Sequence, residues 1–373
     1  MASPPTLPPT PPAPHLGPVV DDRRAEGARF AAPELGIVLS HYDLGVIRRI
    51  REFRRGSRRA PKLRIVAAGG DFLLKRRAPG RDDPNRVAFA HELQLHLGDH
   101  GYPVAGLVGT RTDNNSMLQL GQRIYEMFRY VRGVRDDGSS GAAEQAGLAL
   151  GQLHRLLERY EPGYAPPTGS YHAATGLHAA LGQIPQMVAA VEPEQGRTEL
   201  EERCAALEAT YRDAADRADA AGIGQWPKRI LHGDWHPGNL LFRDGRIAAV
   251  LDFDSARVEP RMIDLANAAL QFSMKMTDPD DPEQWPEALN VKRIRSLLQG
   301  YDHAAETPIS ADERRALPWL ILEALILESV VPIAATGRFG RLSGAAFLRM
   351  IEGKTAWLKP RANKLIQYLE EPR

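Results

Sequence analysis

Cysteine is nearly absent from this sequence, which has one, Cys204, among 373 residues. A single thiol excludes an internal disulfide framework and a thiolate-rich metal site, and free thiols are typical of a reducing compartment. Long apolar runs are also lacking: no stretch approaches about 18 uncharged apolar residues, so the sequence predicts no transmembrane helix. The N-terminus lacks the basic start and apolar run of a signal peptide. We therefore expect a cytoplasmic protein with no membrane partner.

The sequence also lacks an excess of charge of either sign, since its formal net charge is +1. Residues 48–86 nevertheless contain 14 lysines and arginines against four acidic residues. Such a basic block is compatible with nucleic-acid binding, but it lacks the interleaved aromatic pattern of a base-stacking surface, since Phe53 and Phe72 are its two aromatic residues. We favour a solvated face that also attracts phosphate groups, and we expect no nucleic-acid partner.

Proline is concentrated at the N-terminus, where it occupies eight of the first 18 positions. A segment of this composition has little to bury and favours an extended coil, so we predict a disordered tail over residues 1–34. Residues 35–129 contain several β-like runs and one helical segment, whereas residues 130–373 show mainly helical spacing of apolar residues. The pattern predicts an α+β protein with a β-rich part followed by a mainly helical part.

The most informative stretch is a polar loop, residues 232–239, followed by an apolar hairpin and then by Asp252-Phe253-Asp254. The hairpin would bring Asp234, Asn239 and Asp252 together. Two carboxylates and an amide oxygen are hard donors that suit Mg²⁺, which usually keeps water and phosphate oxygens as its other ligands.

The ordered set His232-Gly233-Asp234-x-His236-x-x-Asn239, then Asp252-Phe253-Asp254, resembles the signature of the aminoglycoside phosphotransferase and choline kinase family. These enzymes are small-molecule relatives of protein kinases, in which an Asp precedes an Asn by five residues and a metal-binding Asp follows. The resemblance covers about residues 40–330. It implies a protein-kinase-like fold of two lobes, an N-terminal nucleotide-binding lobe over residues 35–129 and a helical catalytic and substrate lobe over residues 130–373.

The resemblance also implies roles for the loop residues. Asp234 would be the catalytic base, and Asn239 and Asp252 would hold Mg²⁺ on the phosphates of ATP. His232 would orient the loop, and Asp264 would hydrogen-bond to it. For His236 and Asp254 the resemblance leaves a functional and a structural role open.

In the small lobe, the resemblance implies that Lys75 contacts the nucleotide phosphates and that Glu92, on the following helix, pairs with Lys75. A phosphate-covering turn would lie at Gly56 and Ser57, although one glycine replaces the three of a protein-kinase loop. The segment from Glu126 to Phe128 would be the hinge whose backbone meets the adenine, and an ordinary edge strand over residues 125–131 is the open alternative. Two further segments, Leu74-Lys75-Arg76 and Gly101-Tyr102-Pro103-Val104, resemble the spore-coat-kinase-like branch of the family.

The expected activity is ATP-dependent transfer of the γ-phosphoryl group to a hydroxyl of a small molecule. The family offers aminoglycosides, choline, sugars and homoserine as acceptors, and the sequence does not choose among them. A protein Ser/Thr kinase is the alternative, against which the missing Asp-Phe-Gly segment argues. The other alternative is a catalytically silent binding or coat protein with the same fold.

Overall fold

The computed structural model describes residues 29–53 and 60–371. Most of the predicted tail lies outside these ranges, as does the predicted phosphate-covering turn at Gly56 and Ser57. The last residues of the predicted tail are structured, because the first helix, α1, spans Ala32–Ser40. Glu34 in this helix accepts hydrogen bonds from Arg76 and Tyr125, at 2.6 and 2.7 Å. The prediction of disorder therefore extended a few residues too far.

The N-terminal part is a five-stranded antiparallel sheet in the order β1-β2-β3-β5-β4. Its turns and caps follow from the sequence: β2 and β3 form a hairpin across Ala68-Gly69, and Asp83 caps the helix that follows. The strands are β1 (Ile47–Glu52), β2 (Lys62–Ala67), β3 (Gly70–Arg76), β4 (Met117–Leu120) and β5 (Arg123–Arg129). Helix α2 (Pro84–Asp99) lies between β3 and β4 in sequence.

The remainder is mainly helical, with short two-stranded sheets between the helices. The helices are α3 (Ser140–Leu157), α4 (Leu177–Ala189), α5 (Arg197–Ala220), α6 (Met262–Ser273), α7 (Val291–Ala304), α8 (Ala311–Thr336), α9 (Gly344–Leu358) and α10 (Ala362–Glu370). The strands are β6 (Lys228–Leu231), β7 (Leu240–Arg243), β8 (Arg246–Val250), β9 (Arg257–Pro260), β10 (Arg338–Phe339) and β11 (Leu342–Ser343). This arrangement confirms the predicted α+β fold class.

Two apolar clusters stabilise these parts. The smaller one joins the inner face of the sheet to α1, and the larger one fills the helical part and includes the buried face of α2. Helices α3 and α7 approach each other closely because glycines face the contact. A Cβ atom on Gly147 would lie 1.8 Å from Leu297 O, and one on Gly300 would lie 2.0 Å from Glu144 O. These two helices carry His154 and Tyr301, which support the site described below.

Helix α8 is the longest apolar element in the part of the chain that the structure describes. Its length and composition would allow it to cross a membrane, but 83% of its most apolar window is buried inside the fold. An apolar surface on all sides is what a central core helix requires. The apolar length of α8 is therefore explained by packing against its neighbours.

Candidate active site

The catalytic loop, residues 232–239, lies between β6 and the β7–β8 hairpin. This hairpin turns through Asp244 and Gly245, which both have positive φ values, of 52° and 74°, as a tight two-residue Asp-Gly turn requires. The two residues that flank it are adjacent, since Leu251 N donates to Asn239 O at 2.9 Å. The hairpin thus brings Asn239, at the end of the loop, next to Asp252.

Asp234 and Asn239 are in direct contact. The Asn239 amide Nδ2 donates to the Asp234 carboxylate Oδ2 and to its backbone oxygen, both at 3.0 Å. This orientation leaves Asn239 Oδ1 available to a cation. Burial raises the pKa of Asp234, but the hydrogen bond and charge of His236 and the contact with Asn239 outweigh burial and lower the pKa below its usual value. Asp234 is therefore an anion at neutral pH.

Asp264, at the start of α6, holds the catalytic loop. Its two carboxylate oxygens accept hydrogen bonds from the backbone N–H groups of His232 and Gly233, each at 2.8 Å. His154 Nε2 lies 3.1 Å from the same carboxylate. Gly233 has φ of 77°, and a Cβ atom there would lie 2.1 Å from Ser255 O, so only glycine fits. The structure confirms the hydrogen bonds that we expected of Asp264.

His232 lies beneath the loop and is fully buried. Its ring contacts Leu251 O through Nε2 at 3.0 Å and accepts a bond from Asp234 N at Nδ1, at 3.3 Å. Through these two bonds the His232 ring links Asp234 to Leu251, the residue before Asp252. This geometry supports the predicted orienting role of His232.

Asp252 follows the hairpin in a left-handed conformation, with φ of 64° and ψ of 74°. Solvent reaches its side chain, but surrounding protein atoms raise its pKa by partial burial, and the negative charges of Asp254 and Asp234 raise it further. Lys75 acts in the opposite direction. Repulsion among these carboxylates means that a cation would bind favourably here.

The donor set is compatible with a cation that brings its own ligands. Among residues 29–53 and 60–371, no three His, Cys, Asp or Glu side chains are grouped as a metal site. Asn239 Oδ1 and Asp252 would therefore supply only part of a coordination shell. Mg²⁺ typically binds in this way, completing its octahedron with water and phosphate oxygens.

Lys75, on β3, lies at the centre of a network of ion pairs. Its Nζ is 3.5 Å from Glu126 Oε2 and 3.4 Å from Asp254 Oδ2. Burial lowers the pKa of Lys75, but the two carboxylates outweigh burial and raise it above its usual value. Lys75 is therefore cationic, as a phosphate-binding lysine must be.

The predicted pairing of Lys75 with Glu92 is wrong. The Glu92 carboxylate instead accepts hydrogen bonds from Gly163 N and Tyr164 N, at 2.7 and 3.3 Å. The cause is the rotation of α2, because successive residues of a helix point about 100° apart. His91, and not Glu92, faces the sheet, where its Nε2 lies 2.7 Å from Glu126 Oε1.

The predicted hinge from Glu126 to Phe128 is also wrong. These residues lie inside β5, where Glu126 pairs with Lys75 on β3 and Phe128 with Leu73. On the other edge, Val108 N donates to Met127 O at 2.8 Å. The chain leaves the sheet after Arg129 and first pairs with the helical part at Val134, opposite Phe242. Residues 130–134 therefore form the connection.

Arg77 completes the network and was not assigned a structural role by the sequence. Its Nη2 donates to Glu126 Oε1 and to Asp254 Oδ1, both at 2.7 Å, and it thereby joins the sheet to the segment after Asp252. Burial raises the pKa of Asp254, but Lys75 and Arg77 outweigh burial and lower it. A charged residue inside the apolar run Ile124–Phe128 was the one sequence signal of this network, since a buried carboxylate requires a cationic partner.

Comparison with known proteins agrees with the family resemblance that the loop sequence indicates. Residues 49–320 match the phosphotransferase enzyme family. The homoserine kinase of Acidiphilium cryptum (strain JF-5) is 27% identical over 293 residues, which cover 78% of this chain and 82% of that protein.

Solved structures show the same fold. The microcompartment-associated aminopropanol kinase has a TM-score of 0.63 at 16% identity, covering 91% of this chain and all of that one. Amicoumacin kinase hAmiN, in complex with AMP-PNP, Ca²⁺ and amicoumacin, has a TM-score of 0.60 at 13% identity. The match covers 90% of this chain and 92% of that one. These likenesses confirm the predicted protein-kinase-like fold. The match spans well over half of the sequence and includes the catalytic loop, and the chain therefore belongs to the phosphotransferase enzyme family.

Proposed function

We propose that this phosphotransferase uses Mg²⁺ and ATP, with Asp234 as the catalytic base and Asn239 and Asp252 as the metal ligands. The observation that carries the proposal is the contact between Asp234 and Asn239, which directs the amide nitrogen to the base and leaves the amide oxygen for a cation. Asp252 lies at the other end of the same hairpin. A bound Mg²⁺ would offset negative charge on the phosphates.

Asp234 would orient the acceptor hydroxyl and take its proton during transfer. Its lowered pKa keeps it anionic at neutral pH, and its side chain is 39% exposed, so an acceptor can reach it. Phosphoryl transfer gains most of its rate from positioning and electrostatics. The bonds from Asn239 and the loop supported by Asp264 provide that positioning.

Lys75 would contact the nucleotide phosphates. In the structure its charge is balanced by Glu126 and Asp254, and a phosphate would join these partners as a further anion. Gly56 and Ser57 stay candidates for backbone contacts to phosphate on the strength of the sequence alone. The corrected pairing removes Glu92 from the proposed nucleotide site and keeps Glu126 as the partner of Lys75.

For the acceptor, homoserine is the first compound to assay, because several curated relatives are homoserine kinases. Aminoglycosides, choline and sugars are the other candidates that the family resemblance offers. We further propose that the protein works in the cytoplasm, where ATP and a reducing environment coincide.

The test measures ATP binding and phosphoryl transfer separately. In calorimetry, ATP binding should require Mg²⁺ in the parent and lose that dependence in Asp252→Ala. Asp234→Asn keeps the shape of the side chain, so it should bind Mg²⁺ and ATP within about threefold of the parent. Transfer should fall by roughly 10²–10⁴-fold, the usual contribution of a positioned base.

Asp280→Ala is the matched control, because Asp280 is an exposed aspartate that pairs with Arg341 and has no role in the proposed site. It should leave both measurements unchanged. Transfer by Asp234→Asn at the parental rate, or ATP binding by the parent that persists in excess chelator, would refute the assigned roles.

A further inference from the structure

A second carboxylate lies near Asp234 and has no part in the chemistry proposed above. Glu328, on α8, is partly exposed. Its Oε2 accepts a hydrogen bond from Gln271 Nε2 at 2.7 Å, and its Oε1 accepts one from Asn267 Nδ2. Both amides belong to α6, the helix whose first turn holds the catalytic loop through Asp264. The position of Glu328 is thus fixed relative to Asp234.

The basic groups that act on Glu328 are shared with other carboxylates. Burial raises the pKa of Glu328 to about 7, and the negative charge of Asp234 contributes to the increase. His236 and Arg257 oppose it, but both have other partners: His236 lies 3.5 Å from Asp234 Oδ2, and Arg257 is paired with Glu259.

Tyr171 is affected by the same two carboxylates. Burial raises the pKa of Tyr171, and the charges of Glu328 and Asp234 raise it further. Glu328 and Asp234 are therefore close enough to repel each other, and they lie near the same tyrosine. The two basic side chains that act on Glu328, His236 and Arg257, are thus already paired with Asp234 and Glu259.

An unsatisfied acceptor lies beside Glu328. Asn267 is 1% exposed, and its Oδ1 has no hydrogen-bond partner in the described part of the chain. The other end of the same amide contacts Glu328, so Oδ1 lies next to the carboxylate. A buried acceptor without a donor is costly, and a primary ammonium group provides three donors together with a positive charge.

We propose that Glu328 and Asn267 bind a primary ammonium group of the acceptor, so that the phosphorylated hydroxyl belongs to an amino alcohol. This inference rests on the proposed function, because it places the acceptor at Asp234. It excludes neutral sugars as preferred substrates. It also disfavours choline, because a quaternary ammonium has no N–H group to donate to Asn267 Oδ1.

The experiment uses pairs of compounds that differ in one group. Homoserine is compared with 4-hydroxybutyrate, 1-amino-2-propanol with 2-propanol, and ethanolamine with choline. Binding to the parent protein is measured by calorimetry in the presence of Mg²⁺ and a non-hydrolysable ATP analogue, so that no turnover is needed. We expect at least one primary amine to bind tenfold or more tightly than its partner.

Two variants then assign the preference to a residue. Glu328→Gln should raise the KM for that amine by roughly 10- to 100-fold, the range expected when a charge-assisted hydrogen bond is lost. The kcat and the affinity for ATP should change less than threefold. Glu323→Gln is the matched control on the same helix, since Glu323 faces His172 at 2.9 Å, and it should leave the KM unchanged.

The outcomes separate the two proposals. If no amine binds more tightly than its partner, or if Glu328→Gln binds the amine as the parent does, the ammonium site is wrong. If the parent binds amines selectively through Glu328 but never phosphorylates them, the ammonium site is supported and the proposed phosphotransfer to an amino alcohol is overturned.

Discussion

Glu126 provides the sharpest test of the ion-pair network, because the structure assigns it the role that the sequence assigned to Glu92. Its carboxylate is fully buried and contacts Lys75, Arg77 and His91, at 3.5, 2.7 and 2.7 Å. Glu126→Gln would keep the size of the side chain and remove its charge. Lys75 and Arg77 would then have Asp254 as their remaining carboxylate in this network.

Removing one partner of a buried ion pair costs roughly 3–5 kcal/mol. Because Asp254 still balances part of the positive charge, we expect a loss of about 3 kcal/mol in the free energy of unfolding, measured by urea denaturation. The affinity for ATP should fall about tenfold, since Lys75 loses one of the two groups that direct it. Glu92→Gln is the matched control and should cost about 1 kcal/mol, from two weakened bonds to backbone N–H groups.

The sign of the pH dependence provides a second check. Burial raises the pKa of Glu126, but Lys75, His91 and Arg77 outweigh burial and hold the pKa well below its usual range. A group with a lowered pKa in the folded state contributes stability above its unfolded pKa, about 4.3 for glutamate. The difference between parent and Glu126→Gln should therefore be constant near neutral pH and shrink as the pH falls below that value. An equal loss of ATP affinity in Glu92→Gln and Glu126→Gln would refute the reasoning.

Three other perturbations have definite expected results. Gly147→Ala should destabilise the fold by roughly 1–3 kcal/mol, because the added methyl meets the α7 backbone; Gly182→Ala, in α4 with open space around it, should be neutral or stabilising in the same urea assay. Burial lowers the pKa of His172, but Glu323 and Asp219 outweigh burial and raise it. His172→Gln should therefore cost most stability below about pH 6.5 and progressively less as the pH rises through the folded-state pKa. A loss of stability that does not depend on pH would contradict this. Eight of the first 18 residues are proline, and a segment of this composition has little to bury. Deletion of residues 1–20 should therefore leave the melting temperature and turnover nearly unchanged, and a large drop in either would show that this segment contributes to the fold.

The local geometry of the catalytic loop could be predicted from the sequence. Asp234 and Asn239 are five residues apart, and the tight turn at Asp244-Gly245 returns the chain to Asp252 within a single hairpin. Such short-range relations depend on backbone geometry and turn chemistry, which neighbouring residues determine. The α+β class could be predicted for a similar reason, because the period of apolar residues changes along the chain.

The partners of Lys75 could not be predicted in the same way. The choice between Glu92 and Glu126 depends on the rotation of α2 by one residue and on the register of β3 against β5. Both are determined by packing between segments that are distant in sequence. The hinge prediction was wrong for the same reason, since the end of β5 is decided by its pairing with β3 and with residues 107–108.

The ammonium site that we propose depends still more on tertiary structure. Asn267 and Glu328 are 61 residues apart, and Glu328 follows Asp234 by an even longer stretch of chain. Nothing in the apolar sequence of α8 distinguishes Glu328 from a residue at a solvated helix face. The sequence by itself determined the loop of residues 232–239 and the family, whereas only the packing of α8 on α6 decided which second carboxylate lies near Asp234, because long-range contacts leave no periodic signal in the chain.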